Sequence, residues 1–245
     1  FPRYDAPEGF SPGELRYLWK QAHSDRCFSA DLEDLGVHGH VIIEQSGKKD
    51  WAVTRRETSG AAPTESQRVL LEKLFARSPH VELENTNASV IGGARIHHLK
   101  ALDRRMHPAY FKRNGWPLLL GWLFSIAVGV LAFLVAGGSG VPLIFGVLVL
   151  MLVAHLVFGW LMKAPTPEGR KLLDAIEGLR LYLGVAERDE LARLAKPGGP
   201  AEPSLDPERY QRLLPYALAL DVEDAWTEHF TEAVGVQQAE DTARS

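Results

Sequence analysis

His155 is the one ionisable residue between Asn114 and Met162, a 49-residue run without a single Asp, Glu, Lys or Arg. Ionisable groups inside membrane segments are functional candidates by default, because an imidazole held there could pass a proton. A neutral imidazole could equally hydrogen-bond across two packed helices. If the run folds into an antiparallel hairpin, His155 lies level with Trp122 and one turn from Ser125. Gly121, Ser125 and Gly129 recur at i, i+4 and i+8, a ridge of small residues that lets helices approach closely. Packing is the favoured role, with Gly121, Ser125, Gly129 and His155 as the expected contact set.

Two further histidine groups could do chemistry. His38 and His40 flank Gly39, and alternate residues of a strand share a face. Zinc needs three or four ligands and only two imidazoles are present here, so a polar strand edge is expected. His97 and His98 are neighbours on a predicted helix and point about 100° apart, a poor chelate. A solvated face near lipid headgroups is expected for both. Cys27 is the sole cysteine, so no internal disulfide can form, which suits a cytoplasmic chain. There is no phosphate-cradling glycine loop, paired-His zinc helix, Cys pair or nucleophile elbow. The sequence therefore calls for no catalytic residue, no metal and no cofactor.

The element that must hold His155 is set by length. One helix spanning 114–162 would be on the order of 70 Å long, against roughly 30 Å of bilayer hydrocarbon. The run must fold back, and Gly137-Gly138-Ser139-Gly140 marks the turn. Two membrane helices are predicted, about 117–136 and 141–162, each with a proline (Pro117, Pro142) at its first position. Arg104, Arg105, Lys112 and Arg113 precede the hairpin, Lys163, Arg170 and Lys171 follow it, and the turn is uncharged. Basic residues stay on the cytoplasmic side, so both flanks are expected there. Lys112, Arg113 and Lys163 would anchor the hairpin, with Trp116 and Trp160 among the headgroups.

Charge and capping divide the remainder. The chain carries 27 basic and 31 acidic residues, a net of −4. Residues 61–115 hold a basic excess and residues 163–245 an acidic one, so the positive charge lies beside the membrane, where it favours anionic lipid. Nothing is basic enough to announce nucleic acid. Residues 1–10 read as a linker, and Ser11-Pro12-Gly13-Glu14 as a capping box opening a helix with Leu15, Leu18, Trp19 and Ala22. A second helix carries Phe28, Leu32 and Leu35. The runs Val41–Ile43 and Trp51–Thr54 then make a hairpin turning at Ser46–Lys49. Helix, helix, hairpin is a winged-helix order. The second helix, however, carries Asp31, Glu33 and Asp34 and no Lys or Arg, which opposes phosphate contact.

Residues 57–63 read as a second linker. A capped helix follows, with Leu70, Leu71, Leu74 and Phe75 on one face. A short strand at 81–83 and a long helix ending at Met106 come next, the helix with Ile96, Leu99, Leu102 and Met106 inward. Thr166-Pro167-Glu168 caps a helix with Leu172, Ile176, Leu179 and Leu183 on one face, suited to packing on protein. Lys196–Pro200 is a break, two short helices follow, and 237–245 reads as a disordered tail.

The fold class is thus a mainly α membrane protein. Its parts are a winged-helix-like cytoplasmic module at 1–60, an α+β juxtamembrane module at 61–115 and a transmembrane helical hairpin at 116–162. A cytoplasmic amphipathic helical region at 163–236 and the tail complete it. The stretches Ala164–Arg170, Ile176–Leu183, Ala186–Leu191 and Leu214–Leu220 through Trp226, with Pro7–Pro12 and Leu32–Gly39, resemble the YciQ-like family of predicted bacterial membrane proteins of unknown function. The resemblance implies the C-terminal portion of a larger protein with an upstream extracytoplasmic β-rich domain and a further membrane helix. It carries over no catalytic residues. The function expected is a bacterial inner-membrane scaffold or regulator. Its partners are the bilayer and other proteins, with no nucleic acid, and an oligomer is compatible with the sequence. The rival readings are a membrane enzyme or transport component using His155, and a membrane-tethered DNA regulator.

Overall fold

The computed structural model describes residues 1–45, 51–57, 60–113, 115–136, 140–161, 163–185 and 203–244. The expected turns at 46–49 and 137–139, the Ala186–Leu191 stretch and the break at 196–200 lie outside them. The chain divides into two compact units, Phe1–Met106 with Arg170–Ser245, and His107–Gly169.

The first unit opens with α1 (Pro12–Lys20), and its capping box is complete. Glu14 N donates to Ser11 Oγ at 3.3 Å and Ser11 N donates to Glu14 Oε2 at 3.1 Å, so two otherwise orphaned donors are satisfied reciprocally. Helix α2 (Asp25–Val37) packs so closely on α1 that a Cβ on Gly13 would lie 2.5 Å from both Asp31 Oδ2 and Cys27 O. β1 (Val41–Gln45) and β2 (Trp51–Arg55) pair antiparallel, Ile43 opposite Val53. After α3 (Glu65–Leu74), capped by Thr64 and Gln67, β3 (His80–Glu82) joins the outer side of β2. The sheet is therefore three-stranded, β1-β2-β3.

The sequence division near residue 60 does not separate two cores. Phe28, Leu35, Val41 and Val53 bury in one cluster with Leu70, Leu74, Val81 and Ala94, because β3 completes the sheet begun by the hairpin. Helix α4 (Ala88–Met106) follows a 3₁₀ turn at Asn85–Asn87. Its inward face runs through Ala94, His98, Ala101, Leu102 and Met106, whereas Ile96, expected inside, is 55% exposed.

Helices α7 (Pro167–Gly184), α8 (Pro207–Ala219) and α9 (Glu223–Arg244) complete the unit. Leu172, Ile176, Leu179 and Leu183 are all buried, as their spacing requires. Residues 1–10 are a strap rather than a linker. Arg3 N donates to Gly178 O at 2.8 Å, the Tyr4 ring meets Tyr182 edge-on at 5.0 Å, and Tyr216 Oη donates to Phe10 O at 3.0 Å. Helix α9 continues to Arg244, through residues expected as a tail, since 236–244 contains good helix formers and neither Gly nor Pro.

The second unit is a helical hairpin. Helices α5 (Gly115–Ala136) and α6 (Val141–Leu161) are long and apolar enough to cross a bilayer. Their large side chains point outward, Phe124, Leu134 and Leu143 each being at least 70% exposed. Pro117 stands third and Pro142 second in its helix, among the first four positions whose N–H groups have no intrahelical partner. A feature without sequence warning closes the open end. β4 (Phe111–Arg113) pairs antiparallel with β5 (Lys163–Pro165).

Candidate functional site: the hairpin and the polar interior of the first unit

Within the hairpin, Gly121 and His155 face each other, and a Cβ on Gly121 would lie 3.0 Å from His155 Nε2. The His155 ring stands 5.0 Å from Trp122, and its Nδ1 is 2.7 Å from Met151 O. A carbonyl only accepts, so Nδ1 carries a proton, and Nε2 is the nitrogen that faces α5. A Cβ on Gly129 would lie 2.8 Å from Leu148 Cδ2. Ser125 is buried, and with Trp122, Phe145, Leu148, Leu152 and His155 it lines an apolar notch of about 380 Å³. Gly159, which the sequence reading passed over, faces Leu118 in the same way at 3.2 Å.

The residues expected as anchors lie in the strands and helix ends that close the hairpin. β4–β5 pairing sets Lys112 opposite Ala164 and Arg113 opposite Lys163. Trp116, the second residue of α5, is 69% exposed, and Trp160 is next to last in α6. The clasp is tight. Thr166 N donates to Tyr110 O at 2.9 Å, Thr166 Oγ donates to Ala109 O at 2.7 Å and accepts from Gly169 N at 3.0 Å, capping α7. Gly169 packs directly on Tyr110 O, leaving no room for any side chain.

The first unit holds a buried polar network that the sequence did not announce. Asp31 and His98 are both fully buried. Asp31 Oδ1 accepts from Gly13 N at 2.7 Å, and Oδ2 accepts from His98 Nε2 at 2.8 Å. His98 is therefore no solvated headgroup neighbour, because the inward phase of α4 passes through it; His97 is the exposed one. Glu14 Oε1 accepts from Ser66 Oγ at 2.7 Å and lies 3.1 Å from Arg105 Nη1. Burial pushes the Glu14 carboxyl up, with Ser66 and Arg105 opposing it. Asp34 Oδ2 accepts from Gln67 Nε2 at 2.6 Å. Two of the three carboxylates read as a repulsive surface on α2 thus face inward, and only Glu33 is partly exposed. His38 and His40 share no strand. His38 caps α2, and His40 follows Gly39 (φ 76°), which turns the chain into β1. No cluster of three metal-ligating side chains occurs among the described residues.

A third polar group ties the helices together. Asp221, at φ 57° between α8 and α9, meets Arg16 and Arg26 at 2.9 Å each and Lys20 at 3.4 Å. Burial alone would raise its carboxyl, but the Arg16 hydrogen bond and the charges of Arg16 and Arg26 hold it below the ordinary 3.8. A depressed folded-state value adds stability above the unfolded value, lost as pH falls through the folded one. Asp221→Asn should therefore lose less melting temperature than the parent between about pH 5 and pH 3. Thermal unfolding across that window checks it.

A family profile described as "Predicted membrane protein (DUF2207) C-terminal domain" matches residues 1–230. The "Uncharacterized protein YciQ" of Escherichia coli (strain K12) is 27% identical over 127 residues, which cover 50% of this chain and 20% of that protein. The chain thus aligns with about a fifth of that relative's length. No solved structure matches.

Proposed function

The chain belongs to the DUF2207 C-terminal-domain family of predicted membrane proteins, and we propose that it is a bacterial inner-membrane scaffold or regulator, without catalysis. In this reading the α5–α6 hairpin spans the bilayer twice, and both flanks are cytoplasmic. The observation that supports this topology is the β4–β5 clasp, which joins the two basic flanks at one end of the hairpin. Gly121, Ser125, Gly129 and His155 act in helix packing. The contacts of the His155 ring with Gly121 and Trp122 on the facing helix support that role over proton transfer.

The helix–helix–hairpin segment α1–β2 acts as a winged-helix-like module that meets protein rather than nucleic acid. Between Phe28 and Val37, α2 offers no Lys or Arg. Trp51 and Ile42 stand 44% and 40% exposed on the sheet, side chains of the kind that anchor protein interfaces. Affinity purification of the full chain from detergent should return a reproducible partner, depleted at least about fivefold by Trp51→Glu, a loss of order 1 kcal/mol. No reproducible partner, or one indifferent to Trp51, would count against the docking role.

A further inference from the structure

Beside the buried network, the first unit holds a cavity of about 200 Å³ whose walls include Asp34, His38, His40, Ala62, Gln67 and Tyr216. Its hydrogen-bonding inventory is one-sided. His38 Nδ1 lies 2.8 Å from Asp34 O and His40 Nε2 lies 2.7 Å from Ala61 O. Carbonyl oxygens only accept, so both nitrogens carry protons. In a neutral ring the other nitrogen, His40 Nδ1 or His38 Nε2, is a lone-pair acceptor. The hydrogen bonds and charge of Asp34 hold the His38 imidazole above its ordinary value, so that its Nε2 accepts only once that ring has lost its second proton. Tyr216 spends its proton on Phe10 O. Gln67 Oε1 already accepts from Thr64 N at 2.9 Å and Gln67 Nε2 donates to Asp34 Oδ2.

Asp34 carries the excess. Its side chain is 8% exposed, and its Oδ1 has no hydrogen-bond partner. His38 Nδ1, 3.4 Å from that oxygen, directs its proton to Asp34 O at 2.8 Å. The field is negative as well. Burial first, then the charges of Asp34, Asp31 and Glu14, push the Tyr216 hydroxyl far up. Asp31 and Glu14 have His98 and Arg105 as close partners, whereas among the described ion pairs Asp34 meets only His38, at 3.4 Å from Oδ1, and holds that imidazole above its ordinary value. Arg212, whose charge reaches Tyr216, is exposed and lies 3.6 Å from Asp5.

We propose that this cavity is a recognition site for a guanidinium or ammonium group, seated against Asp34 Oδ1 and accepted by the His40 Nδ1 lone pair, with His38 Nε2 joining as a second acceptor when its ring is neutral. Such groups bring several N–H donors and no acceptor, the complement of these walls. The volume suits the head of one arginine or lysine side chain or a small free amine. The site stands independently of the docking role proposed above.

Calorimetry on the full chain in detergent, in phosphate buffer, tests it with methylguanidinium and with the capped tripeptide acetyl-Gly-Arg-Gly-amide. Saturable one-site binding is expected, at least tenfold weaker in Asp34→Asn, while acetate does not bind. Ala62→Trp, at an exposed position on the cavity rim, should weaken binding equally without disturbing the interior. Tighter binding of the tripeptide identifies a protein side chain as the source, and tighter binding of methylguanidinium identifies a small molecule. Absence of saturable binding, acetate binding in its place, or affinity unchanged in both variants overturns the assignment.

Discussion

His98→Leu is expected to destabilise the first unit by about 3 kcal/mol, the cost of taking a hydrogen-bond partner from a buried carboxylate. Asp31 would keep only the Gly13 N–H, in a position with no access to water. Asp31→Leu should be costly for the converse reason, since Gly13 N and His98 Nε2 both lose their acceptor. The double variant should cost less than the two single losses together, because no charge is then left stranded. Urea unfolding of the four proteins in detergent, followed by far-ultraviolet circular dichroism, gives the cycle. Additive losses would mean that the pair is not coupled.

Trp226→Ala should lower stability by about 3–5 kcal/mol, the usual range for removing a fully buried large aromatic. The indole is the meeting point of α7, α8 and α9. Its ring lies 5.4 Å from Tyr182 and 6.2 Å from Tyr210, and Nε1 donates to Tyr210 O at 3.2 Å. Its loss opens a cavity and removes that hydrogen bond. A fall in melting temperature of roughly 10 °C is expected for a chain of this size. Trp226→Phe should recover much of it by keeping the aromatic volume. A loss in Trp226→Ala no larger than at an exposed tryptophan such as Trp51 would show that α7 does not depend on this junction.

The hairpin, the paired caps and the amphipathic face of α7 were legible because each has a strong local signal: an uncharged run, a hydroxyl three residues before a carboxylate or amide, an i, i+4, i+7 spacing. His98 was not. Of the expected inward set Leu102 and Met106 are buried, but earlier in the helix the inward face passes through Ala94 and His98 instead of Ile96. Asp31 and Asp34 were read as surface charges because sequence cannot say that Gly13, His98 and Gln67 arrive from other elements to receive them. The β4–β5 clasp involves three residues on each side, too few to show alternation. Gly169 gave no signal either, since the carbonyl it packs on belongs to Tyr110, distant in sequence.

The central claim is that α5 and α6 cross a bilayer and return the chain to the side it left. Engineered single thiols test it directly, in a Cys27→Ala background, since Cys27 is the sole native cysteine and is buried. In intact cells and in inverted vesicles, a membrane-impermeant maleimide is applied to Lys112→Cys, Ser139→Cys and Lys163→Cys. The account predicts that Lys112→Cys and Lys163→Cys react only in inverted vesicles and Ser139→Cys only in intact cells. Labelling of Ser139→Cys and Lys163→Cys from the same compartment would contradict it.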